Sequence, residues 1–241
     1  MTDAKIDGYT VIQLTGNHHY RLRDAMYQYL PYGFHAYNSE HSTENHVRLT
    51  KALYGLPQWR DLIYANREAV HGVLGGDILY QREPYLRIAR PGVVEDQIGI
   101  HRDTHYGASP HEWVLWFPLT DAVGGAELRI LPGSHLQPDD AYPWTATPIS
   151  GVEKGSDKQW LGFRYSLKKM SDEVENATVP VPCKLGQAIL FNSACVHGQK
   201  VNNASWTRFS VDVRFVSASD NANQNRGLHG ALYEPFVLEA A

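Results

Sequence analysis

From about Ile78 onward the chain is a succession of short runs rich in β-branched and aromatic residues, each closed by Pro, Gly or Asp. That texture limits the fold more than any other feature, because the runs are too short for ordinary helices and too regular for loops. Strands are expected at Tyr85–Ala89, Gln97–Asp103, Glu112–Pro118, Ala126–Leu131, Val179–Pro182, Ala188–Asn192 and Arg208–Val216. Turn signals separate them at Arg90-Pro91-Gly92, between Gly107 and Pro110, at Gly124-Gly125 and at Pro132-Gly133. Many short strands joined this way fold as a sandwich or barrel.

The first 75 or so residues read differently. Leu22, Ala25, Met26 and Tyr29 recur at helical spacing ahead of Pro31. Leu62, Ile63, Val70 and Val73-Leu74 do the same between Pro57 and the stop at Gly75-Gly76. The strand rhythm also breaks for more than forty residues between His135 and Val179, an interval holding Trp144, Trp160, Phe163, Arg164 and Tyr165. So long a connection is either a functional lid or an excursion packed on the outside.

Composition excludes several classes. Hydrophobic residues at 43% and charged residues at 20% are those of a globular domain, not a disordered chain. A net charge of −4 argues against a nucleic-acid partner, since phosphate binding relies on clustered Lys and Arg. No apolar run approaches the roughly 18 residues of a membrane helix, and Met1-Thr2-Asp3-Ala4-Lys5 has no signal-peptide pattern. With Cys183 and Cys195 as its two cysteines the chain is expected to carry reduced thiols and to be cytoplasmic. The oligomeric state stays open.

The chemistry centres on Gly99-Ile100-His101-Arg102-Asp103. On a strand, side chains two residues apart share a face at roughly 6–7 Å, so His101 and Asp103 can converge on one metal ion while Arg102 faces away. Such a pair alone also suits a surface ion pair. The second segment, Gly186 to Gly198, is a Gly turn and an apolar strand ending in His197. Two histidines and one carboxylate make the facial triad that leaves coordination sites open on non-haem iron. Arg208 follows His197 after ten intervening residues and shares a strand face with Ser210. A guanidinium fork beside a hydroxyl is a receptor for a carboxylate. The strand carrying Arg208 is expected to run antiparallel beside the one carrying His197.

This set, His101-X-Asp103, His197 and Arg208, resembles the 2-oxoglutarate-dependent oxygenases, the phytanoyl-CoA dioxygenase branch in particular. Gly124-Gly125-Ala126-Glu127-Leu128-Arg129-Ile130-Leu131-Pro132-Gly133-Ser134-His135 is similar to that branch's Gly-rich strand, and Arg208 to Phe215 to its last core strand. The likeness covers roughly Tyr85 to Val216. It implies a mainly β fold with flanking helices around a double-stranded β-helix (jelly-roll, cupin-like) core, in one domain spanning 1–241. Residues 1–77 would be the helical flank, 78–135 and 179–216 the core, 136–178 an insert and 217–241 a C-terminal extension.

The resemblance further implies Fe(II) on His101, Asp103 and His197, with 2-oxoglutarate as co-substrate held by Arg208 and Ser210, and O2 as oxidant. His135 would fix the barrel rim and not bind iron. His105, Tyr106, Trp116 and Arg129 are candidates to meet a small-molecule substrate, Arg129 facing either inward or outward. Related halogenases carry a small residue where Asp103 stands, so hydroxylation or another C–H oxidation is expected, with release of succinate and CO2, in a biosynthetic tailoring step. A CoA substrate would want a basic groove, for which Lys154, Lys158, Arg164, Lys168 and Lys169 are the candidates. The alternative is a non-oxidative jelly-roll metal-binding protein or a cupin-type isomerase, which would have no need of Arg208 and Ser210.

Overall fold

The structure, a computed structural model, describes residues 2–40, 42–147, 167–220 and 233–236. Residues 148–166, which hold Lys154, Lys158, Trp160, Phe163, Arg164 and Tyr165 of the expected insert, lie outside the described residues.

Helices α1 (Ala4–Asp7), α2 (His18–Tyr27), α3 (Gly33–Glu40), α4 (Thr43–Gly55), α5 (Gln58–Ala65) and α6 (Arg67–Leu74) precede the main run of strands, and α7 (Asp172–Ala177) follows later. The strands are β1 (Tyr9–Gln13), β2 (Ile78–Gln81), β3 (Tyr85–Ala89), β4 (Trp113–Pro118), β5 (Leu128–Ile130), β6 (Trp144–Thr147), β7 (Leu167–Met170), β8 (Val179–Val181), β9 (Gln187–Asn192), β10 (His197–Gly198), β11 (Arg208–Ser217) and β12 (Tyr233–Pro235). The large antiparallel sheet runs β1-β9-β4-β11-β2-β12, with β3 also alongside β11; the small sheet runs β10-β5-β8, and β6 pairs with β7. A mainly β jelly-roll with helices on one side is thus what the chain builds.

The two-residue alternation of each strand distributes side chains between two layers of core. Leu115 and Phe117 on β4, and Phe209, Val211, Val213 and Phe215 on β11, pack against Leu22, Met26, Leu53, Trp59 and Leu62 of the helices. Val114 and Trp116 point the other way and meet Leu128, Ile130 and Val181 of the small sheet. On β11 the opposite set is Arg208, Ser210, Asp212 and Arg214, so the polar side of this strand lines the space between the sheets. A polar strand face usually means solvent; here the helices take the apolar face.

Three expectations need correction. Gln97–Asp103 is not a strand: His101 makes one isolated bridge to His197, and Asp103 opens a 3-10 turn over Asp103–Tyr106. The preceding chain is held by an Arg90–Asp96 ion pair at 2.7 Å and a Pro91–Asn202 bridge in place of a ladder. Nor does β11 lie beside the strand of His197. After Asn192 the chain turns, with Cys195 N donating to Asn192 O at 2.9 Å, and crosses to the small sheet, where His197 pairs with Ile130. Arg208 therefore faces the site from the other sheet. Finally, the helical stretch from Pro57 to Leu74 is two helices. Buried Asn66 interrupts it, donating to Leu62 O at 2.8 Å and accepting from Thr15 N at 2.9 Å.

Among the described residues, no helix is long and apolar enough to cross a membrane. Cys183 and Cys195 are both free and buried. Burial pushes each thiol up to about 12, and thiolate is the reactive form. Neither should react with a thiol reagent in the folded protein at mildly alkaline pH, and both should after denaturation. Mass spectrometry of the labelled protein checks this, and rapid labelling of a native thiol would contradict it.

Candidate metal centre and active site

His101, Asp103 and His197 come from two chain segments stitched together by the backbone. His101 N donates to His197 O, and His197 N to His101 O, each at 2.8 Å. This closeness has a steric condition at Gly198, where a Cβ would lie 2.6 Å from Gly99 O and 2.9 Å from Ile100 Cα. No substitution at 198 is compatible with the bridge as it stands. Ser134 secures the neighbouring rim: its Oγ donates to Leu131 O at 2.6 Å and accepts from Val196 N at 2.8 Å. His135, next to it, is turned to Lys5 O at 3.2 Å and away from the ligand set.

Each of the two histidines has its Nδ1 on a backbone carbonyl, His101 on Gly99 O at 2.7 Å and His197 on Cys195 O at 2.9 Å. With Nδ1–H donating there, Nε2 is left with its lone pair directed at the site. His101 Nε2 is 3.3 Å from Asp103 Oδ1, and His197 Nε2 is 4.0 Å from Asp103 Oδ2. One ligand atom from each of the three lies within 4.8 Å of the others, the geometry of a single metal ion.

The electrostatics suit a cation. Burial, aided by His101, lowers His197 to about 4, so its imidazole is neutral and ready to ligate. Burial alone would raise Asp103, but Arg214 and then the two histidines outweigh it and hold the carboxyl well below the usual range.

Across the recess lies Arg208, which is 1% exposed. Its Nη1 donates to Ala126 O at 3.2 Å, its Nη2 to Gln199 Oε1, and its ring-facing side lies 5.4 Å from the Trp116 ring. Its Nε has no hydrogen-bond partner, and neither has Ser210 Oγ, although both are buried. Asp212, the nearest acid on the same strand face, is engaged by Arg87 at 3.0 and 3.2 Å. Among the described residues no carboxylate pairs with Arg208, and burial together with Arg87 lowers it to about 10. A buried guanidinium without a counter-charge, and with an unused donor, fits an incoming carboxylate. Val114, Trp116, Leu128 and Phe191 supply apolar walls between Arg208 and the ligand triad. The donor set thus fits a divalent metal and a dicarboxylate together.

The substrate candidates divide. Trp116 lines the recess. Tyr106 lies edge-on to His101 with ring centroids 5.8 Å apart. His105 is turned to Asp139 O at 3.2 Å, with its ring 5.9 Å from Trp144. Arg129 faces outward: Leu128 and Ile130 take the inter-sheet side of β5, so period two sends Arg129 to the opposite face, where Nε donates to Thr178 Oγ1 at 3.0 Å. The substrate contact considered for it is not supported.

Several polar residues of the site escaped the sequence reading. Gln199 orients Arg208 while its Nε2 donates to Asp96 O at 2.7 Å. Arg214 lies 2.8 Å from Asp103 Oδ2. Arg102, 1% exposed, donates to the carbonyls of Ala194, Pro138 and Gln137 at 2.7, 2.9 and 3.0 Å, bracing the turn after β9 against the segment after Ser134. The two-residue rule applied from Arg208 would have reached Arg214. Nothing local marks Gln199 or Arg102.

A jelly-roll carrying two histidines and an aspartate around one cation site defines a class, the mononuclear metal enzymes of this fold. The chain belongs to the phytanoyl-CoA dioxygenase (PhyH) family, whose model matches residues 38–209, and so to the non-haem iron, 2-oxoglutarate-dependent oxygenases. That match includes His101, Asp103, His197 and Arg208. Similar solved structures include the non-haem α-ketoglutarate-dependent epimerase SnoN from nogalamycin biosynthesis, 16% identical with TM-score 0.57 over 90% of this chain and 80% of that one. EvdO2 from Micromonospora carbonacea var. aurantiaca, complexed with 2-oxoglutarate, is 16% identical with TM-score 0.57 over 89% and 88%. The carbocyclase SnoK, also from nogalamycin biosynthesis, is 16% identical with TM-score 0.55 over 97% and 94%. At these identities the likeness is one of fold. A search of the curated proteins finds no match.

Proposed function

We propose that the protein oxidises a C–H bond of a small metabolite, with hydroxylation as the outcome, in a biosynthetic tailoring step. In this reading His101, Asp103 and His197 hold Fe(II), and Arg208 binds the far carboxylate of 2-oxoglutarate, with Ser210 as a second contact. The observation that supports it is the pairing of a three-ligand cluster with a buried, uncompensated Arg208 across a recess with apolar walls. A merely metal-binding jelly-roll has no use for that cation.

When bound, iron with 2-oxoglutarate supplies the oxidising power of O2, one oxygen atom going to succinate as CO2 leaves and the other to the substrate. The chain's own groups arrange this. His101 and His197 present Nε2 lone pairs because their Nδ1 atoms are committed to carbonyls. Arg208 fixes the orientation of the co-substrate, and Gln199 holds the guanidinium in place. Val114, Trp116, Leu128 and Phe191 keep bulk water from the reacting centre. Asp103 fills the position that a halogenase leaves small, which favours oxygen transfer over chlorination. Trp116, which lines the recess, and Tyr106, edge-on to His101, are the side chains expected to meet the substrate. The epimerase and carbocyclase names of SnoN and SnoK show that biosynthetic enzymes of this fold catalyse different reactions.

The test needs no substrate. Fe(II) and then 2-oxoglutarate are titrated into the protein without oxygen while the visible charge-transfer band of the chelate is followed. Its appearance, with succinate formed once O2 is admitted, supports the reading. Metal binding without the band would hand the site to the non-oxidative alternative.

A further inference from the structure

Resting on that reading, we propose that Glu112, which lies outside the ligand set, is a positioning residue for the metal: it engages Arg214 and so keeps Asp103 free to bind iron. The recess holds an apparent conflict. Arg214 Nη1 is 2.8 Å from Asp103 Oδ2, and a guanidinium that close would ordinarily take the carboxylate for itself. Here it is shared. The same Nη1 donates a hydrogen bond to Glu112 Oε1 at 2.6 Å, whereas its contact with the buried Asp103 Oδ2 is an ion pair without hydrogen-bond geometry. Arg214 is thus divided between two carboxylates, and Asp103 is left with only part of the guanidinium.

Glu112 is held for this task. It is 1% exposed, just before β4. Its backbone is tied on both sides, N donating to Ser109 O at 3.1 Å and O accepting from Ser193 N at 2.9 Å. Its other carboxylate oxygen, Oε2, accepts from Tyr233 OH at 2.6 Å. Tyr233 comes from β12, so the C-terminal strand reaches the metal site through a relay Tyr233–Glu112–Arg214–Asp103. Charge follows the same logic. Asp103 and Glu112 against one guanidinium leave one net negative charge facing a divalent ion; Asp103 and Arg214 alone would leave none.

Glu112→Gln keeps the shape of the side chain and removes the charge that claims Arg214. Mn(II) serves as the probe, with its dissociation constant measured by electron paramagnetic resonance of the free ion and without 2-oxoglutarate. Loss of an outer partner of this kind typically weakens metal binding by about 10- to 100-fold, and that is the result expected for Glu112→Gln at an unchanged thermal midpoint. Tyr233→Phe, which removes one hydrogen bond and leaves the charges, should weaken binding less. A purely structural role would lower the midpoint and leave the affinity of the folded fraction alone. A folded Glu112→Gln protein with wild-type Mn(II) affinity overturns the inference. If that variant does not fold, Tyr233→Phe decides, and unaltered affinity there overturns it equally. Wild-type protein that binds no Mn(II) would overturn the metal-centre reading as well, so the two failures are told apart by the wild-type titration.

Discussion

Replacing Arg208 with methionine should raise the concentration of 2-oxoglutarate needed to form the Fe(II) complex by between about 30-fold and several thousand-fold. The range follows from about 2–5 kcal/mol for truncating one member of a buried, hydrogen-bonded charge pair, at about 1.4 kcal/mol per tenfold. The upper part applies because the other arginines among the described residues of the recess are engaged: Arg87 with Asp212, and Arg214 with Glu112 and Asp103. Methionine has a similar reach and is tolerated in an apolar surround, although it leaves Gln199 Oε1 and Ala126 O without their donor. Pyruvate is the control. It offers the same chelating carboxylate and keto group but no far carboxylate, so its affinity should not change. The band is titrated anaerobically for both ligands, and an unaltered 2-oxoglutarate dependence would remove Arg208 from the co-substrate site.

Removing His197 should act on the metal itself. His197→Ala deletes one of the three proposed ligands outright, so the fall in Fe(II) affinity should exceed the about 10- to 100-fold typical of an outer partner, with turnover lost. The same variant tests a pH effect in the metal-free protein. His197 sits at about 4 in the folded state, against 6.5 for a free histidine, burial being the main cause. Between those values the unfolded chain binds more protons than the folded one. The stability this group contributes is therefore complete above pH 6.5 and lost as the pH falls towards 4, an amount of about 3 kcal/mol. Urea unfolding across that window should show the loss in wild type and a shallower slope in His197→Ala. Parallel slopes would mean that His197 is not held neutral by its site. At neutral pH, by the same reasoning, iron need displace no proton from this ligand.

How much of this was legible beforehand depends on where each residue's constraint lies. His101, Asp103, His197 and Arg208 could be singled out because their chemistry is rare and their spacing tight. β3, β4, β9 and β11 could be placed because apolar alternation and turn residues are local signals. The outer face of Arg129 was left undecided, since period two states which residues share a face but not which face is inside. Glu112 could not be recognised as part of the site at all. In the sequence it is one acid among twenty-six, and its meaning depends on Arg214, about a hundred residues away, and Tyr233, still further along the chain.

The sequence by itself determined the strand-rich core, the helical lead and the identities of the groups able to hold a metal and a carboxylate, because propensity, periodicity and donor chemistry belong to the residues. Only the tertiary structure decided that the polar side of β11 faces inward, that Arg208 faces the three-residue cluster from the opposite sheet, and that Arg214 is shared between Asp103 and Glu112. Those facts arise from which sheet a strand joins and which buried charge finds which partner. Both are settled by burial and long-range pairing, where the free energy of a charge depends on neighbours that lie far away along the chain.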